Sequence, residues 1–382
     1  MSIFPDKETE TRRECQLEQQ GANPDPGFSM SRRRVLQGLG VLAATAALPP
    51  FVRTSRADSP LRISTFGGAF GQAFAEHYFP AFSRATGIAV QRVEQPSGTQ
   101  FLLQLAQANA TGNSPMDLCM AVDAQVLRGR AKGLWRTIDT SSLSNVAGLQ
   151  EPYVRRAGKG ADGVAAMAYF MTLAVNPDLI DALPNTWQVL WESHPNFWGV
   201  QSGGSSPMIE IAANLYFGGN DVLRTQPGID KVISKIAEIK PNVKLWWQDE
   251  GTMQTAMQNE EVVGGTYVHD TTVYLQKHGT SVRSVFPKEG GVQGINYWCQ
   301  PSSSKRNAEV DAFLQWSCSA EAQSIIARQM MSAPILPRNK LDLTDAEFAL
   351  VSSDGTPIHI ATESRMEHAD YIEQQFTRML MG

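Results

Sequence analysis

Leu61-Arg62-Ile63-Ser64-Thr65-Phe66, closed by Gly67-Gly68-Ala69-Phe70-Gly71, alternates like a strand and stops at a glycine-rich turn. A helix is predicted next, over 72–86, because Ala73, Phe74, His77, Tyr78, Ala81 and Phe82 recur at helical spacing. Gly87 then ends it as a C-cap glycine. Ile88-Ala89-Val90-Gln91-Arg92-Val93 reads as a second strand, and Ser97-Gly98-Thr99 caps a helix over 100–110. Met116-Asp117-Leu118-Cys119-Met120-Ala121-Val122 reads as a third strand, ending at Asp123, which suits the N-cap of a helix over 124–131. Strand, helix, strand, helix, strand is the rhythm of an α/β fold with a parallel sheet. Loops that follow parallel strands are where such sheets hold ligands. Phe66-Gly67-Gly68, Ser97-Gly98 and Asp123 occupy those loops.

A second α/β region follows. The apolar run 165–175 leads into Asn176-Pro177-Asp178, a stop signal. Val200-Gln201 is a short strand, and Ser205-Ser206-Pro207 opens a helix through Glu210 and Asn214. The run 262–268 is a buried strand closing at His269-Asp270, and 294–299 is another. Residues 308–331 read as two helices divided near 317–319, and 231–240 as a solvated helix face. If Trp246-Trp247 lie in a strand, they point to opposite faces, one to the core and one toward a cleft.

The N-terminal stretch Ser31-Arg32-Arg33-Arg34-Val35-Leu36-Gln37 precedes an uncharged run over 38–48, then Pro49-Pro50 and the small-residue exit Ser55-Arg56-Ala57. This is the layout of an export signal, of twin-arginine type. The apolar run is shorter than the roughly 20 residues a membrane span needs. Gly38-Leu39-Gly40-Val41-Leu42-Ala43 fits a dinucleotide pattern, but arginines rather than a strand precede it. No cysteine follows the run, so no lipid attachment is expected. Residues 1–57 are set apart from the fold, with either Met1 or Met30 as the start and a cut near Ala57.

Removing the 8 Lys+Arg and 6 Asp+Glu of residues 1–57 from the chain's 33 and 38 leaves 25 basic and 32 acidic side chains, a net near −7. An acidic body without basic runs argues against nucleic acid. Cys119, Cys299 and Cys318 follow the signal region without metal-type spacing, and read as buried thiols or as a disulfide between Cys119 and Cys299. There is no HExxH, nucleophile elbow or P-loop. No catalytic set, cofactor or metal site is expected.

Three markers in order carry a resemblance: the Phe66-Gly67-Gly68-Ala69-Phe70 loop with its helix ending Ala85-Thr86-Gly87-Ile88; Leu173-Ala174-Val175-Asn176-Pro177-Asp178-Leu179-Ile180 followed by Thr186-Trp187-Gln188-Val189-Leu190-Trp191; and Phe286-Pro287-Lys288-Glu289-Gly290-Gly291. Over 60–380 the chain resembles the extracellular solute-binding proteins of ABC importers, the spermidine/putrescine-binding group above all. The resemblance implies a two-lobed periplasmic-binding-protein fold, with a hinge and an interlobe ligand cleft. Lobe one spans 58–166 plus 286–335, and lobe two 167–285 plus 336–382. It further implies a periplasmic monomer that catalyses nothing and delivers a small organic solute to an inner-membrane ABC permease. The precursor's partner is the twin-arginine export machinery.

Polyamine binders of this group hold ammonium groups with carboxylates and aromatic rings. Carried over, the first-loop aromatic is Phe66, the second-loop hydroxyl Ser97, the carboxylate on the first helix of lobe two Glu210, and the cleft aromatic Tyr267 beside His269 and Asp270. Trp247 is the ring offered by its strand. Where polyamine binders carry Trp, one residue, then Asp, this chain has Gly294-Ile295-Asn296, so Asn296 takes the acid's place, and Tyr297 or Trp298 supplies a ring from a shifted register. Phe66 also suits packing, Glu210 a helix start, Asp270 a cap and His269 a structural role. A polyamine-like amine is the favoured solute. An anion on the Gly67-Gly68 and Ser97-Gly98 loops, a metal, and an exported enzyme are the alternatives, though no Tyr-Tyr pair of the ferric binders occurs.

Overall fold

The computed structural model describes residues 59–95, 100–149, 151–353 and 355–382, with Gly68 and Ala69 described by backbone alone. Its strands are β1 Leu61–Thr65, β2 Val90–Glu94, β3 Leu118–Val122, β4 Val154–Ala157, β5 Gly160–Val175, β6 Trp198–Gln201, β7 Val243–Trp247, β8 Gly264–Val268, β9 Arg283–Val285, β10 Val292–Cys299 and β11 Ile358–His359. They form one sheet in the order β2-β1-β3-β10-β5-β8-β6-β7, with β11 beside β10 and with β4 and β9 beside β5. β1 runs parallel to β2 and β3, and β6 runs parallel to β7 and β8. β10 and β5 are antiparallel to each other and to the parallel groups they adjoin.

Two hydrophobic cores hang on this sheet. The first is built from Leu61 to Phe170 and from Ile295 to Ile335; the second from Met171 to Val292, with Ile358, Ile372 and Phe376. The chain changes core within β5, between Phe170 and Met171, and again within β10, between Val292 and Ile295. Leu336 packs on the first core. β5 is 16 residues long and buried almost throughout, which is why its sequence is a continuous apolar run rather than an alternating one.

The first core closes around Trp298, whose ring meets Phe313 edge-on at 5.1 Å and Phe74 at 5.8 Å. Each large side chain so buried contributes about 1.5–3 kcal/mol by leaving water. The predicted 72–86 helix is one helical passage in three parts: an α-turn Gly68–Ala73, a π-turn Phe74–Tyr78, and Phe79–Thr86 ended by Gly87 at φ 75°. The divided pair is Asn307–Ser317 and Ala320–Met330. Asp123 is not a cap: Val122 is the N-cap residue and Asp123 lies in the first turn of Asp123–Ala131. Trp246 and Trp247 both pack, on Phe376 and on Tyr267. Cys119 lies directly across from Cys299 on adjacent strands, and both are free thiols that burial pushes far above the usual range.

Gly265, at φ 155°, pairs with Gly199 where β8 runs beside β6, and a Cβ there would overlap the Gly199 carbonyl. Backbone-to-backbone contact leaves no side chain to yield, so Gly265→Ala is expected to lower stability by more than about 1 kcal/mol. A denaturant midpoint equal to wild type would refute this.

Candidate functional site

A cavity of about 540 Å³ opens between the two cores. Its walls come from Val122 at the end of β3 and Asp123 at the start of the next helix, from Pro152 and Arg155, from Tyr169 on β5, and from Gln293, Gly294, Ile295 and Tyr297 on β10. The far wall is the turn Gly204-Ser205 after β6, together with residues between His359 and Glu373. The helices Thr362–Glu367 and Ala369–Met381, which supply much of that wall, were not anticipated from sequence.

Two ion-pair systems frame the cavity, and each is satisfied internally. Arg155 grips Asp123 through Nε and Nη2, and its Nη1 donates to Glu363 Oε1 at 2.8 Å. Its guanidinium also lies 5.9 Å from the centroid of the Tyr297 ring, and the Tyr297 hydroxyl donates to Pro152 O at 2.8 Å. Arg365 grips Glu210: Nε donates to Oε1 at 2.6 Å, and Nη2 reaches the other oxygen. The same guanidinium donates to the carbonyls of Gly204 (3.0 Å) and Ser206 (2.7 Å). Glu210 Oε1 also accepts from Ala361 N at 3.1 Å, and Glu373 accepts from Gly204 N at 2.6 Å. The turn on the cavity's far wall therefore hangs from the C-terminal segment.

Three buried groups on β10 and β7 are not satisfied, and of these only Gln293 lines the cavity. Gln293 is 5 % exposed and its Oε1 has no partner; Asn296, at 9 %, leaves its Oδ1 unpaired; Trp247, at 2 %, leaves its Nε1 unpaired. Buried polar atoms without partners are uncommon.

Tyr169 lines the cavity. It pairs in register with Gly294 across β5 and β10, and a Cβ at position 294 would collide with the Tyr169 ring and hydroxyl. The ring that the sequence lacks at 294 is thus provided from the neighbouring strand. Burial pushes the Tyr169 phenol up, Arg365 pulls it down, and Asp123, Glu250 and Asp270 add to the rise. The hydroxyl therefore stays protonated at neutral pH. Gly294→Ala is expected to cost about 1–3 kcal/mol by overpacking. The same change in a Tyr169→Ala background is expected to cost far less, a coupling that a double-mutant cycle measures.

Two further carboxylates, outside the lining of this cavity, lie at strand ends of the second core. Glu250 follows β7 at the first turn of its helix, and Asp270 follows β8. Glu250 faces solvent, yet protein crowds it enough that lost hydration raises its carboxyl, with Asp270 and then Asp249 adding repulsion. Burial likewise raises Asp270, against the bond it accepts from Thr271 N at 2.7 Å. No described residue pairs either with a cation. Tyr267 adjoins them: its hydroxyl donates to Glu250 O at 3.0 Å, and its ring meets Trp247 at 5.7 Å.

The residues expected at the site divide accordingly. Asp270, Tyr267 and Trp247 gather beside Glu250, and Asn296 sits two residues along β10 from Gly294. Glu210 is fully buried and committed to Arg365, and so corrects the expectation of a ligand-facing acid. Trp298 is a core residue whose Nε1 donates to Ser317 Oγ at 3.0 Å; it is not a cleft ring. Phe66 packs on the first core and on Phe70 at 6.1 Å, and Gly67 is the N-cap of the first helical turn that Gly68 opens. Ser97 lies outside the described residues. His269 is structural, held by Ser284 Oγ and Leu350 O, both at 2.8 Å. Sequence reading missed Tyr169 and Glu250.

Residues 77–347 match the family model of bacterial extracellular solute-binding proteins. The chain belongs to that family. Among its relatives is a gamma-aminobutyric acid-binding protein of Pseudomonas aeruginosa, 22% identical over 347 residues that cover 85% of this chain and 92% of the relative. Solved structures share the fold. An ABC transporter substrate-binding protein from Bradyrhizobium japonicum aligns at a TM-score of 0.69 and 17% identity, over 84% of this chain and 99% of that one. A spermidine/putrescine ABC transporter substrate-binding protein from Streptococcus pneumoniae aligns at 0.64 and 15%, over 84% and 98%. These are two-lobed periplasmic binding proteins, and the two cores on one sheet agree with that architecture. Among the described residues, no helix is long and apolar enough to cross a membrane, and no cluster of His, Cys, Asp and Glu could hold a metal ion. The export signal lies outside the described residues.

Proposed function

We propose that this solute-binding protein is a periplasmic receptor for a small organic solute carrying an ammonium group, which it delivers to an ABC permease. The observation that carries this reading is the Glu250–Asp270 pair: two strand-end carboxylates, both raised by burial and Glu250 further by its acidic neighbours, with no described cation beside them. An ammonium group resolves that arrangement, and the adjoining Tyr267 ring favours it. The polyamine-like amine implied by sequence and the solute named for the Pseudomonas relative both carry this group. In this reading the two cores are lobes, β5 and β10 are hinge strands bending near 170–171 and 292–295, and the cavity is the cleft that closes on the ligand. The protein works as a monomer exported by its twin-arginine signal. In this reading it performs no reaction, and the Arg155–Asp123 and Arg365–Glu210 systems pair their charges with each other, which suits a rigid binding wall.

Thermal shifts against amines, amino acids, oxyanions and metal ions test this. A ligand bound only to the native state at a hundredfold excess over Kd adds about 2.7 kcal/mol and raises Tm. Shifts confined to oxyanions or metals, or turnover of any compound, would overturn the reading.

A pH dependence follows. Because folding raises both carboxyls, their contribution to ligand-free stability is fully present below the ordinary carboxylate range and fades as pH climbs through the raised values. Amine binding has the opposite sign, since it needs the ionised pair. Affinity for an amine is therefore expected to increase as pH climbs through the raised values, with protons released on binding. Calorimetry in buffers of differing ionisation heat reads both effects, and a flat profile would refute them.

A further inference from the structure

We infer that Arg155 latches the cleft: its Nη1 holds Glu363 of the opposite core while the walls are together, and passes to Glu151 on its own side when they part. The inference rests on the hinge reading above and adds a device that sets how readily that same cleft opens.

Arg155 is fixed to the first core and keeps one arm free of it. Its strand β4 pairs with the first part of β5, and the adjacent Val154 belongs to the first core. Nε and Nη2 are both committed to Asp123, at the start of the helix Asp123–Ala131, which that core anchors through Val126. The Tyr297 ring, also of the first core, lies 5.9 Å from the guanidinium. Nη1 alone reaches the other core, donating to Glu363 Oε1 at 2.8 Å.

Glu363 is carried by the second core. Its helix, Thr362–Glu367, follows β11, whose Ile358 is buried in that core, and Ile360 and Ala361 pack on it. Two residues on, Arg365 fastens the helix to Glu210 and to the carbonyls of Gly204 and Ser206. Arg155, Thr362 and Arg365 all line the cavity, so the Arg155–Glu363 bond joins its two walls. Bending of β5 and β10, where the chain changes core, carries the two ends of that bond apart as the cleft opens.

A second acid turns this tie into a two-position latch. Glu151 Oε2 lies 4.0 Å from the same Nη1. The Glu151 and Glu363 side chains are 51 % and 64 % exposed, so water receives whichever carboxylate is released. The Arg155 side chain is only 13 % exposed, and a charge so far withdrawn from water keeps its donors paired. An arm with two acids in reach has two discrete states. They differ by one exposed ion pair against another, a small difference that a bound solute overrides.

Pulsed electron–electron distance measurements on the full chain test this, with nitroxide labels at Leu103→Cys and Lys231→Cys in a Cys15→Ser background. Both label sites are exposed, on helices that pack against the first and the second core respectively. Cys119, Cys299 and Cys318 are buried and take no label. Without any ligand, Glu363→Gln is expected to raise the ratio of long-distance to short-distance molecules by about two- to fivefold, the scale of one exposed pair. Glu151→Gln is expected to shift the ratio the opposite way. Opposite shifts from two exposed acids are not produced by a general loss of negative charge. Glu363→Gln without lengthening overturns the latch. Glu151→Gln that lengthens the distance, or leaves it unchanged, overturns the exchange between two acids. The readout needs no solute, so silence from every amine overturns the receptor reading and leaves the latch standing.

Discussion

Replacing Arg365 with methionine is expected to lower stability by about 3–5 kcal/mol, a Tm loss on the order of 10 °C. The reason lies in what remains. Glu210 is wholly buried in the first turn of the helix Met208–Phe217, and its carboxylate is held by the Arg365 guanidinium and the Ala361 amide. Without the guanidinium, a buried carboxylate keeps one backbone donor and loses its charge partner. Two carbonyls, Gly204 O and Ser206 O, lose donors as well. The double variant Glu210→Leu with Arg365→Met is expected to recover much of the loss, because removing both charges removes the desolvation that their pairing offsets. Urea midpoints of the two variants read this directly. A single-variant loss below about 1 kcal/mol would show that water reaches Glu210 and that the pair is a surface contact. The variant also loosens the 204–206 turn, so any ligand affinity it retains reports how far the cavity wall depends on the C-terminal segment.

The same pair shows where sequence reading reached its limit. Glu210 was legible as an acid at a helix start, but its partner lies 155 residues further on, in a short helix with no periodic signature. Strand ends were legible because alternation and glycine stops are local. So were the glycine at Gly87 and the paired helices after 307, whereas the run 231–240 is a helix only to Ala237 and buries Val232, Ile233, Ile236 and Ile239. Tyr169 was hidden inside an apolar run that reads as uniformly buried. Its meaning depends on the register that sets it against Gly294, and register is a property of two distant strands, not of either alone. The missing ring at 294 was visible, but its replacement from β5 was not. Trp298 illustrates the converse: a tryptophan next to a ligand strand is an attractive cleft residue until the side chain is found among Phe74 and Phe313. Glu250 could have been found. It directly follows a strand end at Trp247-Gln248-Asp249, where a parallel sheet places its ligand contacts.

Replacing Glu250 by glutamine and Asp270 by asparagine together is expected to weaken amine binding by about 30- to 150-fold, equivalent to about 2–3 kcal/mol. This is the lower part of the range for losing the partner of a charge, because Glu250 faces solvent and part of its attraction is screened. The fold is expected to respond in the opposite sense. In the ligand-free protein these carboxyls repel each other and are crowded, so neutral amides relieve strain, and Tm without ligand should stay level or rise. The combination separates this variant from the Arg365 variant, in which Tm falls first and affinity follows. It also separates a ligand contact from a structural acid, because a structural acid would take stability with it. Calorimetric affinity and ligand-free Tm, measured on one preparation, settle the point. Unchanged affinity would remove Glu250 and Asp270 from the site, and a lost affinity accompanied by a fallen Tm would make them part of the scaffold. Affinity lost at constant Tm leaves one account: the cleft holds its solute by the positive charge that these two strand ends lack.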